Sequence, residues 1–245
     1  MARRRLGGDI ARIQLPDGRD AIVKSGRGAE RSELSREHRH AVALRGVLPV
    51  PAIVEAHDDG DVATLTETRL PGQPLHLARR DFGRDRTLAL LAAVLHAMGT
   101  VRRTAVDLEL SVDEELADIA GLIRDGLVDR ATFGRMSGGQ AIEDAYTEVA
   151  ALVATHDKGD FVHGDFCLPN IVVDRDGSWG LVDLGRCGFG DRIRDLASLE
   201  KSLQRNVDER AFADLLGAMK VRFGDSEREK MRAYALLDVF WDSLV

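Results

Sequence analysis

The hydrophobic pattern of the chain changes its period at about residue 70. Before that point apolar and polar residues alternate, which is typical of half-buried strands. The pattern and its turn signals predict a hairpin, a helix and a second strand pair, at residues 10–15 and 20–24, 29–45, and 52–57 and 62–66. Residues 1–70 are therefore predicted to form a small, β-rich lobe.

After the break at Leu70-Pro71-Gly72-Gln73-Pro74 the apolar spacing becomes helical. Helices are predicted at residues 87–98, 111–123, 139–156, 191–205, 208–223 and from 226 onward, where Ser226 and Glu229 form a capping pair. A short β unit interrupts them at residues 161–163, 171–173 and 179–184. The chain is predicted to be α+β and two-lobed, with residues 71–245 as the larger, mostly helical lobe.

Composition narrows the class of protein. Hydrophobic residues make up 44% and charged residues 31% of 245 positions, which indicates a globular chain with a substantial core. The longest apolar run, residues 88–95, falls far short of the ~20 residues that a membrane span needs, and no apolar signal follows Met1. Cys167 and Cys187 are too few for a disulfide framework, so we expect a cytoplasmic protein.

The net charge of -7 is unevenly distributed. Residues 1–70 carry a net charge of +1, and residues 71–245 carry -8. Such a chain is a poor nucleic-acid binder and suits a cationic partner, or phosphate handled through a metal ion. Residues 105–120 hold six acids and no base, a pattern typical of a solvated helix face.

The strongest chemical signal is the segment His163-Gly164-Asp165-Phe166-Cys167-Leu168-Pro169-Asn170, between two predicted strands. Asp183 follows Asn170 by thirteen residues, at the end of an apolar strand. Phosphoryl transfer needs one carboxylate to orient the attacking hydroxyl and accept its proton, and oxygen ligands to hold Mg²⁺. An Asp- and Asn-rich turn without chemistry is the plainer interpretation.

A second signal is Lys24, at the end of a predicted strand, together with the helix that follows it. Glu37 lies on the apolar stripe of that helix, three residues after Leu34 and four before Ala41. A glutamate that faces the core needs a cationic partner, because an unpaired buried carboxylate is costly. We therefore expect a Lys24–Glu37 pair that aims the ammonium at nucleotide phosphates, against the alternative of an exposed strand-end lysine.

Residues 163–170 and the later segment LVDLGRCGFGDRIRDLA closely resemble aminoglycoside 3'-phosphotransferases, a family with a protein-kinase-like fold. The resemblance extends from about Lys24 to the C-terminus. It implies the use of ATP and Mg²⁺ and the phosphorylation of an aminoglycoside antibiotic at its 3'-hydroxyl. It also implies that residues 1–70 form the nucleotide-binding lobe and residues 71–245 the catalytic and substrate-binding lobe.

The resemblance also implies roles for particular residues. Asp165 would be the catalytic base, Asn170 and Asp183 would bind Mg²⁺, and Lys24 paired with Glu37 would contact the ATP phosphates. Backbone groups near Thr68 and Leu70 would contact adenine. The supporting or substrate-side residues would be His163, which orders the catalytic loop, Arg186, Asp195, which braces the loop, and Asp238.

Two departures from the family leave the acceptor open. The family's acidic loop corresponds here to residues 130–137, which contain Arg130 and Arg135 and no carboxylate. In the C-terminal segment Asp238 is followed by Val239, where the family often has Glu. The arginines favour a different hydroxyl substrate, such as a sugar, an amino alcohol or another antibiotic.

A nucleotide-binding pseudokinase is the second alternative, against which the intact Asp165, Asn170 and Asp183 argue. In each case we expect a small-molecule partner, no nucleic-acid or membrane partner, and a monomer or weak dimer.

Overall fold

A computed structural model of the chain describes residues 9–110, 112–153 and 159–244. The first residue of the predicted helix 111–123 and the last three of the predicted helix 139–156 lie outside these ranges. Within the described ranges, no helix has both the length and the apolar character that a bilayer crossing requires.

The N-terminal part is a four-stranded antiparallel sheet packed against one helix. Its elements are β1 (Asp9–Gln14), β2 (Asp20–Arg27), α1 (Ala29–Leu44), β3 (Ile53–Asp58) and β4 (Val62–Thr68), with the strand order β1-β2-β4-β3. Leu34 of α1 packs against Ala63 and Leu65 of β4 in a small core of their own. Both strand pairs and the helix predicted from the alternation are therefore confirmed.

The rest of the described chain is mostly helical. Its elements are β5 (Gln73–Pro74), α2 (Leu75–Phe82), α3 (Arg84–Gly99), α4 (Val112–Arg124), α5 (Arg130–Met136), α6 (Ile142–Val153), β6 (Asp160–Val162), β7 (Ile171–Val173), β8 (Trp179–Leu181), β9 (Gly188–Gly190), α7 (Arg192–Asn206), α8 (Ala211–Ala218) and α9 (Asp225–Asp242). One large hydrophobic core joins these helices to the β unit. The order of elements follows the predicted α+β arrangement, while the lobe boundary at residues 70 and 71 stays a prediction.

Two small sheets fix the segment that carries the strongest chemical signal. The strands β5, β7 and β8 form one antiparallel sheet, and β6 pairs with β9 in the other. Gly72 sits just before β5 with a φ of 93°, and a Cβ there would lie 2.1 Å from the Val173 carbonyl oxygen. Because only glycine permits this approach, the linker can hydrogen-bond directly to the β unit.

Several helix boundaries differ from the predictions for identifiable reasons. The helix predicted to begin at 139 begins at Ile142, since Gly138 and Gly139 both have positive φ. In the last helix the side chain of Glu227 accepts a hydrogen bond from the Gly224 N–H at 2.9 Å, so the predicted Ser226–Glu229 capping pair was wrong. The short helices α2 and α5 were not predicted.

Candidate active site

The loop between β6 and β7 is held in a shape that only glycine permits at its second position. Gly164 has a φ of 78°, and a Cβ there would lie 2.2 Å from the Arg186 carbonyl oxygen. Two backbone segments therefore cross in contact at Gly164, immediately before Asp165. A short 3-10 turn at Leu168–Asn170 completes the loop and leads into β7.

Asp195, on the first turn of α7, fastens the start of this loop. Its two carboxylate oxygens accept hydrogen bonds from the His163 and Gly164 N–H groups, at 2.7 and 2.8 Å. The neighbouring Arg194 donates from Nε to the Gly164 carbonyl at 2.8 Å. Burial raises the pKa of Asp195 to about 6, although His163 and the two amides oppose that shift. These contacts suit the bracing role expected of Asp195.

The imidazole of His163 links the loop to the strand that precedes Asp183. Its Nε2 lies 2.9 Å from the Val182 carbonyl oxygen, and the residue is 1% exposed. Since a carbonyl can only accept, Nε2 must carry the proton of that hydrogen bond. His163 thereby ties the loop and the Asp183 segment together from inside the core.

Asn170 contacts Asp165 directly across the loop. Its Nδ2 donates to the Asp165 carbonyl at 2.9 Å and to the Asp165 carboxylate Oδ2 at 3.1 Å. The Val182 N–H donates in turn to the Asn170 carbonyl at 3.1 Å. With the amide nitrogen of Asn170 engaged, its side-chain oxygen is the atom that can bind a cation.

Lys24 lies at the centre of a buried cluster with three carboxylates. Its Nζ is 2.7 Å from Glu37 Oε1, 3.0 Å from Glu67 Oε1 and 2.8 Å from Asp183 Oδ1. The pair with Glu37 that the apolar stripe of α1 led us to expect is therefore present. Asp183 has a φ of 59°, a conformation that non-glycine residues seldom adopt, and its side chain is 42% exposed.

Charge in this cluster is out of balance. Burial by itself lowers the pKa of Lys24, but the carboxylates of Asp183, Glu37 and Glu67 outweigh it, and the pKa lies well above the usual range. Burial also raises the pKa of Glu37 to about 7, against the opposing effect of Lys24. Three acidic groups therefore crowd one ammonium, and either a proton on Glu37 or a second cation beside Asp183 would relieve that crowding.

A single cleft of about 430 Å³ collects the residues predicted for chemistry. Asp165, Asn170 and Asp183 line it together with Asp238. The cleft is also lined by charged and polar residues of α7 and α9, among them Lys201, Arg205, Asn206 and Asp242. The cleft is wide enough for a small polar acceptor beside the catalytic loop.

The linker residues predicted to contact adenine are partly engaged within the protein. The Thr68 N–H donates to the Ala52 carbonyl at 2.8 Å, and the Arg69 N–H donates to the Asp20 carbonyl at 2.9 Å. Leu70 packs against Gly180, where an added Cβ would lie 2.7 Å from its side chain. We therefore expect the predicted adenine contact to involve the linker carbonyls and the Leu70 N–H.

Arg186 does not line the cleft that contains Asp165. Its guanidinium stacks 4.1 Å from the centre of the Trp241 ring and lies 3.2 Å from Glu115. It lines a second cavity of about 520 Å³, whose walls include most of the acidic run at 105–120: Asp107, Glu109, Glu114, Glu115 and Asp118. Most acids of that run are exposed, as expected of a solvated face, and Glu115 is its buried member. The role of Arg186 stays a prediction.

The two arginines that raised the question of the acceptor lie on α5, outside the cleft lining. Arg130 pairs with Glu143 at 2.7 Å, and Arg135 donates to Thr132 Oγ1 at 2.8 Å. Asp238 does line the cleft and accepts a hydrogen bond from Ser198 Oγ at 2.8 Å. Lys201 and Arg205 of α7 do line the cleft, as does His76 of α2.

Glu67 is the residue that the sequence interpretation missed. It is 3% exposed and lies on β4, on the same buried face of the strand as Ala63 and Leu65. The argument that identified Glu37, a carboxylate in an apolar register, applies equally to this strand with a period of two.

The donors of this site fit a magnesium ion. Asp183 presents a half-exposed carboxylate, and Asn170 presents a side-chain oxygen, both of which are hard ligands. Two protein ligands are typical of Mg²⁺, which keeps waters and substrate phosphates in its remaining positions. The excess of carboxylates around Lys24 supplies the negative charge that such a cation requires.

Comparisons with known proteins bear on the family and the fold of the chain. The model of the phosphotransferase enzyme family matches residues 8–234. An aminoglycoside 3'-phosphotransferase from Escherichia coli is 24% identical over 231 residues, which cover 92% of this chain and 83% of the relative.

Two solved structures share the fold. A crystal structure of a type VIII aminoglycoside-3'-phosphotransferase has a TM-score of 0.79 at 26% identity, covering 96% of this chain and 90% of its own. An aminoglycoside phosphotransferase from Streptomyces rimosus, solved with ADP and streptomycin, has a TM-score of 0.76 at 20% identity, covering 96% and 92%.

These findings confirm the predicted two-lobed fold and the resemblance to aminoglycoside 3'-phosphotransferases. The match of the family model spans the sheet, the Lys24 cluster, the catalytic loop and α7. The chain therefore belongs to the phosphotransferase enzyme family.

Proposed function

We propose that this chain is an ATP- and Mg²⁺-dependent kinase that phosphorylates the 3'-hydroxyl of an aminoglycoside. The observation that carries the proposal is the cleft that brings Asp165, Asn170 and Asp183 together, with Lys24 held against Asp183. The relatives named above act, by their names, on aminoglycosides, and one was solved with ADP.

In this proposal Asp165 accepts the proton of the attacking hydroxyl. The acceptor oxygen forms a bond to the γ-phosphorus while the bond to the β–γ bridging oxygen breaks, and ADP leaves. Asn170 holds the Asp165 carboxylate through its amide, which fixes the direction in which that carboxylate faces the acceptor. Asp195 and Arg194 hold the loop in place through hydrogen bonds to the His163 N–H and the Gly164 carbonyl.

Lys24 contributes a fixed positive charge next to the phosphates. Its ammonium lies 2.8 Å from Asp183, so phosphate oxygens bound near that carboxylate fall within its reach. Asp183 and Asn170 are the residues that would hold Mg²⁺. When bound, Mg²⁺ supplies neutralisation of the charge that develops on the transferred phosphoryl group.

Turnover of ATP across a panel of acceptors tests this proposal. The panel contains kanamycin, neomycin and streptomycin, the neutral alcohols glycerol and inositol, and the acidic alcohol glycerate. We expect turnover with a 3'-hydroxyl aminoglycoside, with the phosphate located on that oxygen by NMR of the product. Binding of MgADP without turnover of any acceptor would instead identify a pseudokinase.

A second candidate function follows from the basic side chains in the cleft. Lys201 is paired with Asp242 at 2.6 Å, but Arg205 adds an exposed positive charge to the same wall. This favours a hydroxyl substrate that also carries an acidic group. Turnover of glycerate, or of another acidic alcohol, without turnover of any aminoglycoside would select this candidate over the first.

A further inference from the structure

Glu67 lies on the same face of the sheet as Lys24. In the antiparallel pair of β2 and β4, Lys24 is opposite Leu65 and Ile22 is opposite Glu67. Side chains two residues apart share a face, so Glu67 is the diagonal neighbour of Lys24. This register brings the Glu67 carboxylate 3.0 Å from the ammonium while both side chains are only 4% exposed.

The three carboxylates around Lys24 are not equivalent. Glu37 on α1 and Glu67 on β4 are buried, with side-chain exposures of 3% and 4%. Asp183 is 42% exposed and lines the cleft. Asp183 is therefore placed to exchange partners when a cation enters, whereas the other two are fixed in the interior on two different elements.

We propose that Glu67 is a positioning residue for phosphoryl transfer, which together with Glu37 keeps Lys24 in place when Asp183 turns from the ammonium to a bound metal ion. The inference rests on the proposed function, in which Asp183 binds Mg²⁺ and Lys24 binds ATP phosphates. The sequence led us to expect Glu37 of α1 alone to hold Lys24, and the inference gives Glu67 of β4 a part in the same role.

Two fixed partners restrain a lysine far better than one. The side chain has four rotatable bonds, and holding it in one conformation opposes about 2 kcal/mol of rotamer entropy. Glu37 alone would let the ammonium swing about that one contact, and Lys24 would move with any shift of α1. Because Glu67 belongs to β4, which pairs directly with β2, its restraint does not depend on α1.

The expected signature is redundancy between the two glutamates. In Glu37→Gln or Glu67→Gln alone, the surviving carboxylate still holds Lys24 and the KM for ATP rises moderately. In the double variant both buried anions are replaced by neutral amides, whose oxygens hold the ammonium more weakly once Asp183 is engaged. The effect on kcat/KM for ATP should then exceed the product of the single effects by about fivefold or more.

A double-mutant cycle in kinetics and in nucleotide affinity tests the inference. The variants are E37Q, E67Q and the double variant, with E55Q on the exposed side of β3 as the matched control. The kinetics give kcat and the KM for ATP separately for each variant. Calorimetry measures the affinity for MgADP, and denaturant unfolding measures the stability of every variant.

We expect the affinity for MgADP to fall moderately in E67Q, to fall in the double variant by more than the product of the single effects, and to stay unchanged in E55Q, because Glu37 and Glu67 both hold Lys24. Additive effects in the cycle, or the same MgADP affinity in E67Q and wild type, would overturn the inference. If the double variant does not fold, the MgADP affinity of E67Q decides. If wild type phosphorylates no acceptor, the proposed function fails, and the cycle in MgADP affinity still judges Glu67.

Discussion

At Gly164 the backbone leaves no room for a side chain. The φ of 78° is strained for any other residue, and the Arg186 carbonyl oxygen occupies the position of a Cβ. We expect Gly164→Ala to lower the free energy of unfolding by more than the ~1–3 kcal/mol of backbone strain alone. Turnover should fall as well, because Asp165 is the next residue. Denaturant unfolding and steady-state kinetics measure the two effects.

Gly46 provides the matched control. Its φ of 79° is nearly the same, but no atom lies within 4 Å of its hypothetical Cβ. Gly46→Ala should therefore cost only the strain, about 1–2 kcal/mol, and leave turnover unchanged. Equal effects of the two substitutions would show that the contact with Arg186 is unimportant.

Asp165 is predicted to affect the chemical step without affecting nucleotide binding. Asp165→Asn keeps the shape and the neighbouring amide of Asn170 but removes the proton acceptor. We expect kcat to fall by about 10²- to 10⁴-fold while the affinity for MgADP, measured by calorimetry, is unchanged. Asp176→Asn in the exposed turn before β8 is the control, and comparable activity in both variants would remove Asp165 from the reaction.

Sequence reasoning works at the residue scale when a pattern is local. The Lys24–Glu37 pair was predictable because Glu37 interrupts an apolar stripe and Lys24 lies just upstream. The surroundings of Arg186 were not predictable, since Glu115 and Trp241 come from distant elements. Such contacts depend on how distant elements pack together, and local patterns in a single sequence do not predict that packing.

Helix α7 is the element that holds the catalytic loop. It contacts the loop through Asp195 and Arg194, and the Ser202 hydroxyl accepts a hydrogen bond from the Leu168 N–H at 3.0 Å. Its first turn is capped by Asp191, which accepts from the Ile193 N–H at 3.0 Å. By capping the turn that carries Arg194 and Asp195, Asp191 supports both α7 and the catalytic loop that these two residues bind.

We expect Asp191→Ala to lower the free energy of unfolding by at least about 1 kcal/mol and to reduce kcat several-fold. The lost cap frees the turn that carries Asp195, and Lys230 loses its partner. Thermal unfolding and turnover at saturating substrate are the measurements.

Asp129 caps α5 in the same way, by accepting from the Thr132 N–H at 2.6 Å. Asp129→Ala should weaken the fold by about 1 kcal/mol and leave kcat unaltered, because α5 does not line the cleft. A comparable fall of kcat in both variants would mean that α7 has no special connection with the loop.

Short elements were the least predictable part of the fold. The seven residues of α5 include a glycine and carry little helical signal, yet Phe133 is fully buried and its ring centre lies 4.7 Å from that of Phe240. Isolated helices of this length are unstable, so the packing partner creates them. Among the longer helices, α3 could be recognised from its long apolar segment, residues 88–95, and α1 from the stripe that Leu34, Ala41 and Leu44 form.

Over the whole molecule, the acidity of residues 71–245 should act on the acceptor at long range. A net charge of -8 in that part attracts a polycationic substrate before contact, and salt screens this attraction. We expect kcat/KM for kanamycin to fall about three- to tenfold as salt rises from about 50 to about 300 mM. Stopped-time product assays at fixed MgATP measure it.

An uncharged acceptor is the control in this experiment, because only a charged one is steered. Any alcohol of the panel that turns over without net charge should show a flat profile. A kanamycin profile as flat as that one would contradict the long-range effect and leave capture to contacts within the cleft.

The contact between Lys24 and Asp183 also has a consequence for the order in which the site forms during synthesis. The two residues are 159 positions apart, so a growing chain delivers Lys24, Glu37 and Glu67 long before Asp183 leaves the ribosome. The first sheet can thus assemble around an ammonium that already has two of its carboxylates. The cluster itself is complete only when Asp183, 159 positions after Lys24, has been synthesised and joins them.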